Sequence, residues 1–405
     1  MIKENITIIE KKFGLNITNS KIDSVINKEI KKNGIRIYNH GLIGISGYLG
    51  NKHDKTAEKK AITALENNIK YPYKPADNVT RSEEYGDFLF SPNSFIEEIE
   101  TILEIIKKEF PGFSLSHKAY MEEYTSILEN TRDTKMSSKL KFNSFEFIYN
   151  KKGSGNIMDG YVLCYGNDYN RETLLDYFRE ILTAHDNILP LPEGKIPVLF
   201  DNQGIIKIFN KDLSAHSFGT GSSLFSDDLN KKVFSEKFNL VNSRKKENYA
   251  TFFDSEGVVL DNDEFYLIEN GVVKSAYTDK KTASKYGYKL TGNGSSSYDT
   301  VPSLSSSTIQ IKESEKTLKE LIGNQPAIYV MMASGGDYDA SGNFASPVQA
   351  GFLYENGKIK GRLPEFTISS NVYDLFGNDF IGLSSDSLLS ISNNRTLALK
   401  MDIKK

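Results

Sequence analysis

Cysteine occurs once in this sequence, as Cys164, so no disulfide forms within the chain. A reducing cytoplasm is the simplest home for it. Histidine is nearly as scarce: His40, His53, His117, His185 and His216 are the five, and no two lie closer than 13 positions. A zinc ion held locally needs two neutral imidazoles on one helical face, four or five residues apart, and no such pair is encoded. Arginine supplies eight of the 50 basic residues and lysine the other 42. With a formal charge of −3 and few guanidinium forks, neither nucleic acid nor an acidic membrane is an expected partner. No stretch approaches the ~20 apolar residues of a membrane span. The opening Met1-Ile2-Lys3-Glu4 lacks the apolar core of a signal peptide. Two further motifs are missing: a phosphate loop with its lysine, and a Gly-x-Ser-x-Gly nucleophile elbow.

What is present fits a globular protein of two or three domains, with 405 residues and 39% hydrophobic content. Residues 4–26 alternate loosely and predict strands separated by turns at Gly14 and Asn19. Gly34–Tyr38 and Leu42–Ser46 predict a further hairpin, and 55–68 a helix. A helix begins at Ser94, where Ser94 and Glu97 have capping-box spacing and Phe95, Ile99, Ile102, Leu103 and Ile106 share a face. Alternation returns over 114–148 and 161–165, and Asn170 caps a second amphipathic helix carrying Leu174, Leu175, Phe178, Ile181 and Leu182. The linker Leu189-Pro-Leu-Pro-Glu-Gly194 separates this region from a strand-rich remainder. There, two Asn-Gly turns, in Leu267–Val273 and in Leu353–Ile359, predict two-residue hairpins. The Ser-rich run 295–307 predicts a surface loop, and Ser314 starts a short helix through Ile322. The expected class is α+β. Two small strand/helix subdomains, 1–90 and 91–190, precede a strand-rich domain, 191–405.

Few residue groups carry chemistry. Cys164, in Tyr161-Val-Leu-Cys-Tyr165, has the setting of a small apolar residue in a buried strand. His185-Asp186 has the order of a base and its orienting acid, but adjacent residues at a helix end are expected to point apart. His216, in Ala-His-Ser-Phe-Gly-Thr-Gly, is a weak metal candidate. No glutamate follows it to activate a metal-bound water, and an ordinary polar loop residue fits better. The loop Ser334-Gly335-Gly336-Asp337 to Gly342-Asn343 offers main-chain N–H groups, yet it has no phosphate-loop lysine and opens no helix.

Five features in a fixed order carry a resemblance. Asp254-x-Glu256-Gly257 precedes Leu267-Ile-Glu-Asn-Gly-Val-Val-Lys274. Tyr286-Gly287 and Thr291-Gly-Asn-Gly294 follow, then Pro302-Ser303-Leu304. Last comes the segment from Ala333 through Asn356-Gly357 to Gly377-Asn378-Asp379 and Gly382. The chain resembles the TldD/PmbA family, peptidase-related proteins once called modulators of DNA gyrase. Active members carry His-Glu-x-x-x-His and a later cysteine ligand, and both are absent here. The resemblance therefore implies a PmbA/TldE-type member, inactive alone and without its own metal, zinc being available only through a partner. Its expected role is the non-catalytic subunit of a TldD-like peptidase acting on unfolded peptides. The alternatives are a free-standing metallopeptidase with an atypical site at His216, or a homodimeric peptide-binding scaffold. In either dimer, Ser334, Gly335, Gly336, Asp337, Gly342 and Asn343 are the expected peptide contacts, holding an extended chain by main-chain bonds.

Overall fold

The computed structural model describes residues 1–51, 56–201, 203–388 and 395–405. His53 and Lys55, the latter the expected start of the first helix, lie outside the described residues. Strand β1 (Ile2–Thr18) runs unbroken through Gly14 and turns at Asn19-Ser20 into β2 (Lys21–Asn39). The expected turn at Gly14 is thus a strand position, opposite Ile26 and Tyr120. A lone glycine keeps both ladder groups, so it weakens a strand without reversing it. Asn19 and Ser20, at φ 49° and 57°, make the reversal. β3 (Leu42–Leu49) completes the predicted hairpin, followed by α1 (Ala57–Thr63) and β4 (Thr80–Tyr85). α2 (Pro92–Glu109) starts before the expected Ser94. Ser91 is the N-cap and Ser94 closes the capping box, because Pro92 suits the first helical position. The hairpin of β5 (Phe113–Asn130) and β6 (Thr134–Lys151) leads to β7 (Gly160–Gly166) and α3 (Arg171–Asp186), capped by Asn170 as expected.

These strands form one sheet in the order β3-β2-β1-β5-β6-β4, with β7 also on β6. The strands of residues 1–90 and of 91–190 are therefore hydrogen-bonded neighbours. The apolar stripes of α2 and α3 pack with Leu115, Phe145, Phe147 and Val162 of the sheet.

The second half begins with β8 (Gly194–Phe200), α4 (Lys207–Asp212) and α5 (Ala215–Gly219). β9 (Leu240–Ser243), β10 (Glu264–Glu269) and β11 (Val272–Val273) follow, then α6 (Lys280–Tyr286). Within the Ser-rich run, β12 (Gly294–Ser295) pairs with β13 (Ser303–Leu304). β14 (Ile309–Ile311) ends a small sheet of order β11-β10-β9-β14. α7 (Leu318–Ile322) starts later than Ser314, since Thr317 and Glu320 supply a capping box nearer the apolar residues. The rest comprises β15 (Ala327–Ala333), β16 (Asp337–Tyr338), β17 (Asn343–Glu355), β18 (Lys358–Arg362), β19 (Phe366–Asn371), α8 (Val372–Leu375), β20 (Phe380–Leu383) and β21 (Leu397–Lys404). Both Asn-Gly turns form as predicted, with φ of 48° and 75° at Asn270-Gly271 and 53° and 78° at Asn356-Gly357.

The pairing β8–β15–β17–β19–β21–β8 closes on itself. Alternation along these strands serves two cores. Val198, Phe200, Ile328, Val330, Leu397 and Leu399 fill one side with Phe366 and Ile368. Leu199, Tyr329, Met331 and Ala398 point the other way, against α2, α3 and the first sheet. Burial on both faces explains why β8 and β15 read as continuous apolar runs. The mixed helix and strand composition is the α+β class expected.

Candidate functional site

Where the first sheet meets the second half, a buried polar joint forms. Arg36 of β2 is fully buried and pairs with Glu4 of β1 at 3.3 Å. It also donates to the Ser255 carbonyl (2.5 Å) and the Ser296 hydroxyl (2.6 Å), so it ties the sheet to two loops of the second half. The Tyr38 hydroxyl donates to Glu4 at 2.8 Å. Asp254 accepts from the N–H groups of Glu256, Val258 and Gly294 at 2.8–2.9 Å, which shapes the Asp254-Ser255-Glu256-Gly257 turn. Tyr71 donates its hydroxyl to Glu256, whose other oxygen accepts the Lys280 N–H at 2.7 Å. Burial, followed by the neighbouring Asp254, pushes the Glu256 carboxyl up to about 7. Burial likewise lowers Lys280, whose ammonium donates to the Lys74 and Glu256 carbonyls.

The Ser-rich run lies largely at the surface, as expected, and its Tyr298 packs down on this sheet. Gly34 of β2 and Gly47 of β3 are cross-strand partners, and Tyr298 lies over both. A Cβ at Gly34 would sit 1.9 Å from the Tyr298 carbonyl oxygen, and one at Gly47 2.6 Å from its ring. The bare patch is what lets the run approach.

Beside the joint lies a groove. One hollow, of about 370 Å³, lies over Ile6, Ile8, Tyr124, Ser126, Leu128 and Leu140 of the first sheet, of which Ile6, Leu128 and Leu140 are buried. The rest of its lining is mostly polar, with Arg244, Asn293 and Thr308 beside Ser295, Ser296, Ser305 and Ser307. A second, of about 530 Å³, is lined by Asp201, Glu247, Glu264 and Glu313 with Lys245, Lys312 and Arg395 among others. Asn248, Tyr249 and Gln310 line both and form the shared wall. Gln310 belongs to β14, the edge strand of its sheet. The Ile311 N–H on that strand is held by the Gln203 side chain at 2.7 Å. The groove can thus offer the outer edge of a strand, hydroxyls and side-chain amides to an extended chain.

The residues singled out by sequence lie elsewhere. Asp337, Asp339 and Asn343 line a separate shallow hollow with Lys195 and Lys404. Asp337 pairs with Lys207 at 2.7 Å, and the Gln349 amide donates to the Ser334 hydroxyl at 2.6 Å. The N–H groups of Ser334, Ser341, Gly342 and Asn343, expected to stay available, are bonded to Pro347 and Asp339. Short polar residues close their own Asx turn before any ligand arrives. Gly335 and Gly336, at φ 77° and 73°, flank it.

His216 sits on α5, capped by Ser214, and its Nδ1 lies 3.1 Å from the Tyr286 hydroxyl. Among the described residues no three His, Cys, Asp or Glu side chains converge as metal ligands. The one polar partner given to the His216 ring is a phenol, a group that does not make a catalytic zinc site. His185 and Asp186 do touch, at 3.2 Å, contrary to expectation. α3 ends there, so the Asp186 side chain is free of helical spacing. The Arg362 guanidinium 2.8 Å from His185 Nε2 fixes a neutral tautomer with the proton on Nδ1, and burial lowers the histidine accordingly. Cys164 is buried in β7, and burial pushes its thiol up to about 12. The groove residues escaped sequence reading, because Tyr249 and Gln310 stand in ordinary polar stretches and meet the sheet only through the fold.

A family model described as the PmbA/TldA metallopeptidase C-terminal domain matches residues 193–396. The chain is 26% identical over 210 residues to a metalloprotease of Methanothermobacter thermautotrophicus, which covers 50% of this chain and 45% of that one. A metalloprotease TldD homolog of Buchnera aphidicola subsp. Acyrthosiphon pisum is 24% identical over 335 residues, 76% of this chain and 66% of the relative. The match spans about half the length of the first of these curated relatives. In fold, the chain is similar to the crystal structure of TldE from Thermococcus kodakarensis, with a TM-score of 0.79 at 18% identity over 100% of this chain and 96% of that one. A putative modulator of a DNA gyrase from Thermotoga maritima gives 0.77 at 19% identity, over 99% and 96%. With half of its length matched by the family model and the remainder folded like these structures, the chain belongs to the PmbA/TldD metallopeptidase family.

Proposed function

We propose that this chain is the non-catalytic, peptide-holding subunit of a two-component peptidase whose zinc is carried by a TldD-type partner. The observation that carries the reading is the groove, with an edge strand in its wall and hydroxyls and side-chain amides along it. An extended, unfolded peptide meets these needs with main-chain bonds and little sequence demand. On β14 a peptide carbonyl would replace Gln203 at the Ile311 N–H. The sequence supplies the other half of the argument. It has no His-Glu-x-x-x-His, and the position nearest to that motif, His216, is engaged with Tyr286. The water-activating chemistry would then come from the partner. Ring-like packing of strands in the second half, and a location in the cytoplasm, belong to the same reading, with a dimer formed through residues 191–405.

The test mixes this chain with a family member that does carry the motif. The chain alone should bind a fluorescein-labelled unfolded peptide without cleaving it. Chelator-sensitive cleavage should appear on adding the partner and rise at least several-fold over the partner alone. Chelator-sensitive cleavage by this chain alone, with one equivalent of zinc by elemental analysis, would overturn the proposal.

A further inference from the structure

A buried cation is almost always paired with an acid, and Arg36 with Glu4 follows that rule. Arg244, the residue after β9, does not. It is 7% exposed. Its Nε donates to the Gly292 carbonyl at 2.7 Å, and its Nη1 to the carbonyls of Thr251 and Phe253 at 3.3 and 3.0 Å. These bonds use three of the five N–H groups of a guanidinium. The two on Nη2 have no partner among the described residues, and no carboxylate among them lies within ion-pairing distance. Three carbonyls fix the side chain in place but leave its charge uncompensated. The carboxylate that acts on it from farther off, Asp254, has both oxygens committed to the N–H groups of Glu256, Val258 and Gly294. Burial accordingly lowers Arg244 from the ordinary arginine value.

Arg244 lines the smaller hollow, and the groups around it there can donate. The Ser296 oxygen already accepts from Arg36, which leaves the Ser296 proton to give. The Ser126 hydroxyl and the Gln310 amide line the same space and make no side-chain hydrogen bond among the described residues. The acid in this lining is Asp254, whose oxygens are occupied. The charge balance points the same way. While Glu256 holds its proton, the joint sets Arg36, Arg244 and Lys280 against the carboxylates of Glu4 and Asp254. A neutral amide could take the free donors, but only an anion also relieves the buried charge. A space of about 370 Å³ admits a carboxylate together with the residue that carries it.

We propose, on the peptide-holding reading above, that the smaller hollow takes a carboxylate of the bound peptide, with Arg244 Nη2 as its principal donor. The peptide's C-terminus and an Asp or Glu side chain present the same chemistry to it. Ser126, Ser296 and Gln310 complete the donor set.

The test uses the full-length chain and calorimetric titration at low salt, with N-acetylated peptides of serine, glutamine and alanine. Four peptides combine a free or an amidated C-terminus with a central Glu or Gln. A carboxylate should tighten binding about tenfold or more over the peptide that has none, the range of a hydrogen bond to a charged group. A gain from the free terminus assigns the hollow to a C-terminus, and a gain from Glu assigns it to a side chain. In Arg244→Met the gain should fall to about twofold or less, while the peptide without a carboxylate binds as before. Ser307→Glu, at an exposed position on the same lining, brings the protein's own carboxylate to the hollow and leaves the three carbonyl bonds intact. It should erase the gain independently, and it decides alone if Arg244→Met does not fold. Equal binding of all four peptides would overturn the assignment while leaving peptide binding in place. A gain undiminished in either variant would overturn it too. Binding of none of the four would instead overturn the reading on which it rests.

Discussion

Replacing Glu256 by glutamine should abolish a pH dependence of stability that the joint builds in. Glu256 lies 2% exposed, beside Asp254, and its carboxyl titrates at about 7 against an ordinary 4.5. The folded state therefore holds a proton that the unfolded chain releases between those values. A group raised in this way contributes stability that is fully present below its unfolded pKa and is lost as pH rises through the folded one. At 1.36 kcal/mol per unit, the span between 4.5 and about 7 amounts to about 3 kcal/mol, most of which falls between pH 5 and pH 8. Glutamine keeps the geometry. Its oxygen can accept the Lys280 N–H, and its amide can donate to the Tyr71 hydroxyl, which then acts as acceptor. Urea unfolding of both proteins at pH 5, 6, 7 and 8 gives the difference directly, other titrations cancelling. Glu256→Gln should gain on the parent by about 2–3 kcal/mol from pH 5 to pH 8, with most of the change before pH 7. A difference constant within about 0.5 kcal/mol, or one of opposite sign, would refute the assignment of the proton to Glu256.

Gly34→Ala should destabilise by about 3 kcal/mol, since a backbone oxygen 1.9 Å from the new methyl cannot rotate away, whereas Gly14→Ala, with its nearest contact at 3.6 Å, should be neutral or slightly stabilising. Equal melting temperatures for the two would show that Tyr298 does not rest on β2. In the loop after β15, Gly336→Val should cost about 2–3 kcal/mol, because its Cβ would lie 2.8 Å from Ser346 and its φ is 73°. Gly335→Asn, with open space around it, should melt within about 0.5 kcal/mol of the parent. That second variant is the one to use against peptide: an unchanged affinity would remove this loop from the peptide path.

The elements legible in the sequence were those whose cause is local. α2 and α3 carry a stripe at helical spacing and a capping side chain, and both Asn-Gly turns need positive φ at two neighbouring positions. Errors arose where two local signals competed or where contact decided. Ser94 offered a good capping spacing, and Pro92 won because it fits the first turn. Gly14 looked like punctuation until two flanking strands paired with it. The Ser-rich run has no periodicity that reports Tyr298 resting on Gly34 and Gly47. That contact joins residues from opposite ends of the fold, and neither end signals it alone.

The candidate site failed to show for a related reason. The motifs that stand out in the sequence, Asp254-x-Glu256-Gly257 and Thr291-Gly-Asn-Gly294, converge where the Asp254 carboxylate accepts the Gly294 N–H. They demand particular residues, because a buried carboxylate bonded to three N–H groups tolerates no substitute without leaving donors unpaired. A groove that grips main chain makes no such demand. Hydroxyls and side-chain amides can be supplied by many residues, so they leave no motif. Yet the two are one structure, since Asp254 and Ser255 of the joint also line the smaller hollow, and Arg36 holds Ser255 and Ser296 on its rim. Loosening the joint moves the rim. A rise in pH that ionises Glu256 should therefore weaken peptide binding before it unfolds the chain. In Glu256→Gln the affinity should instead stay level across the same range.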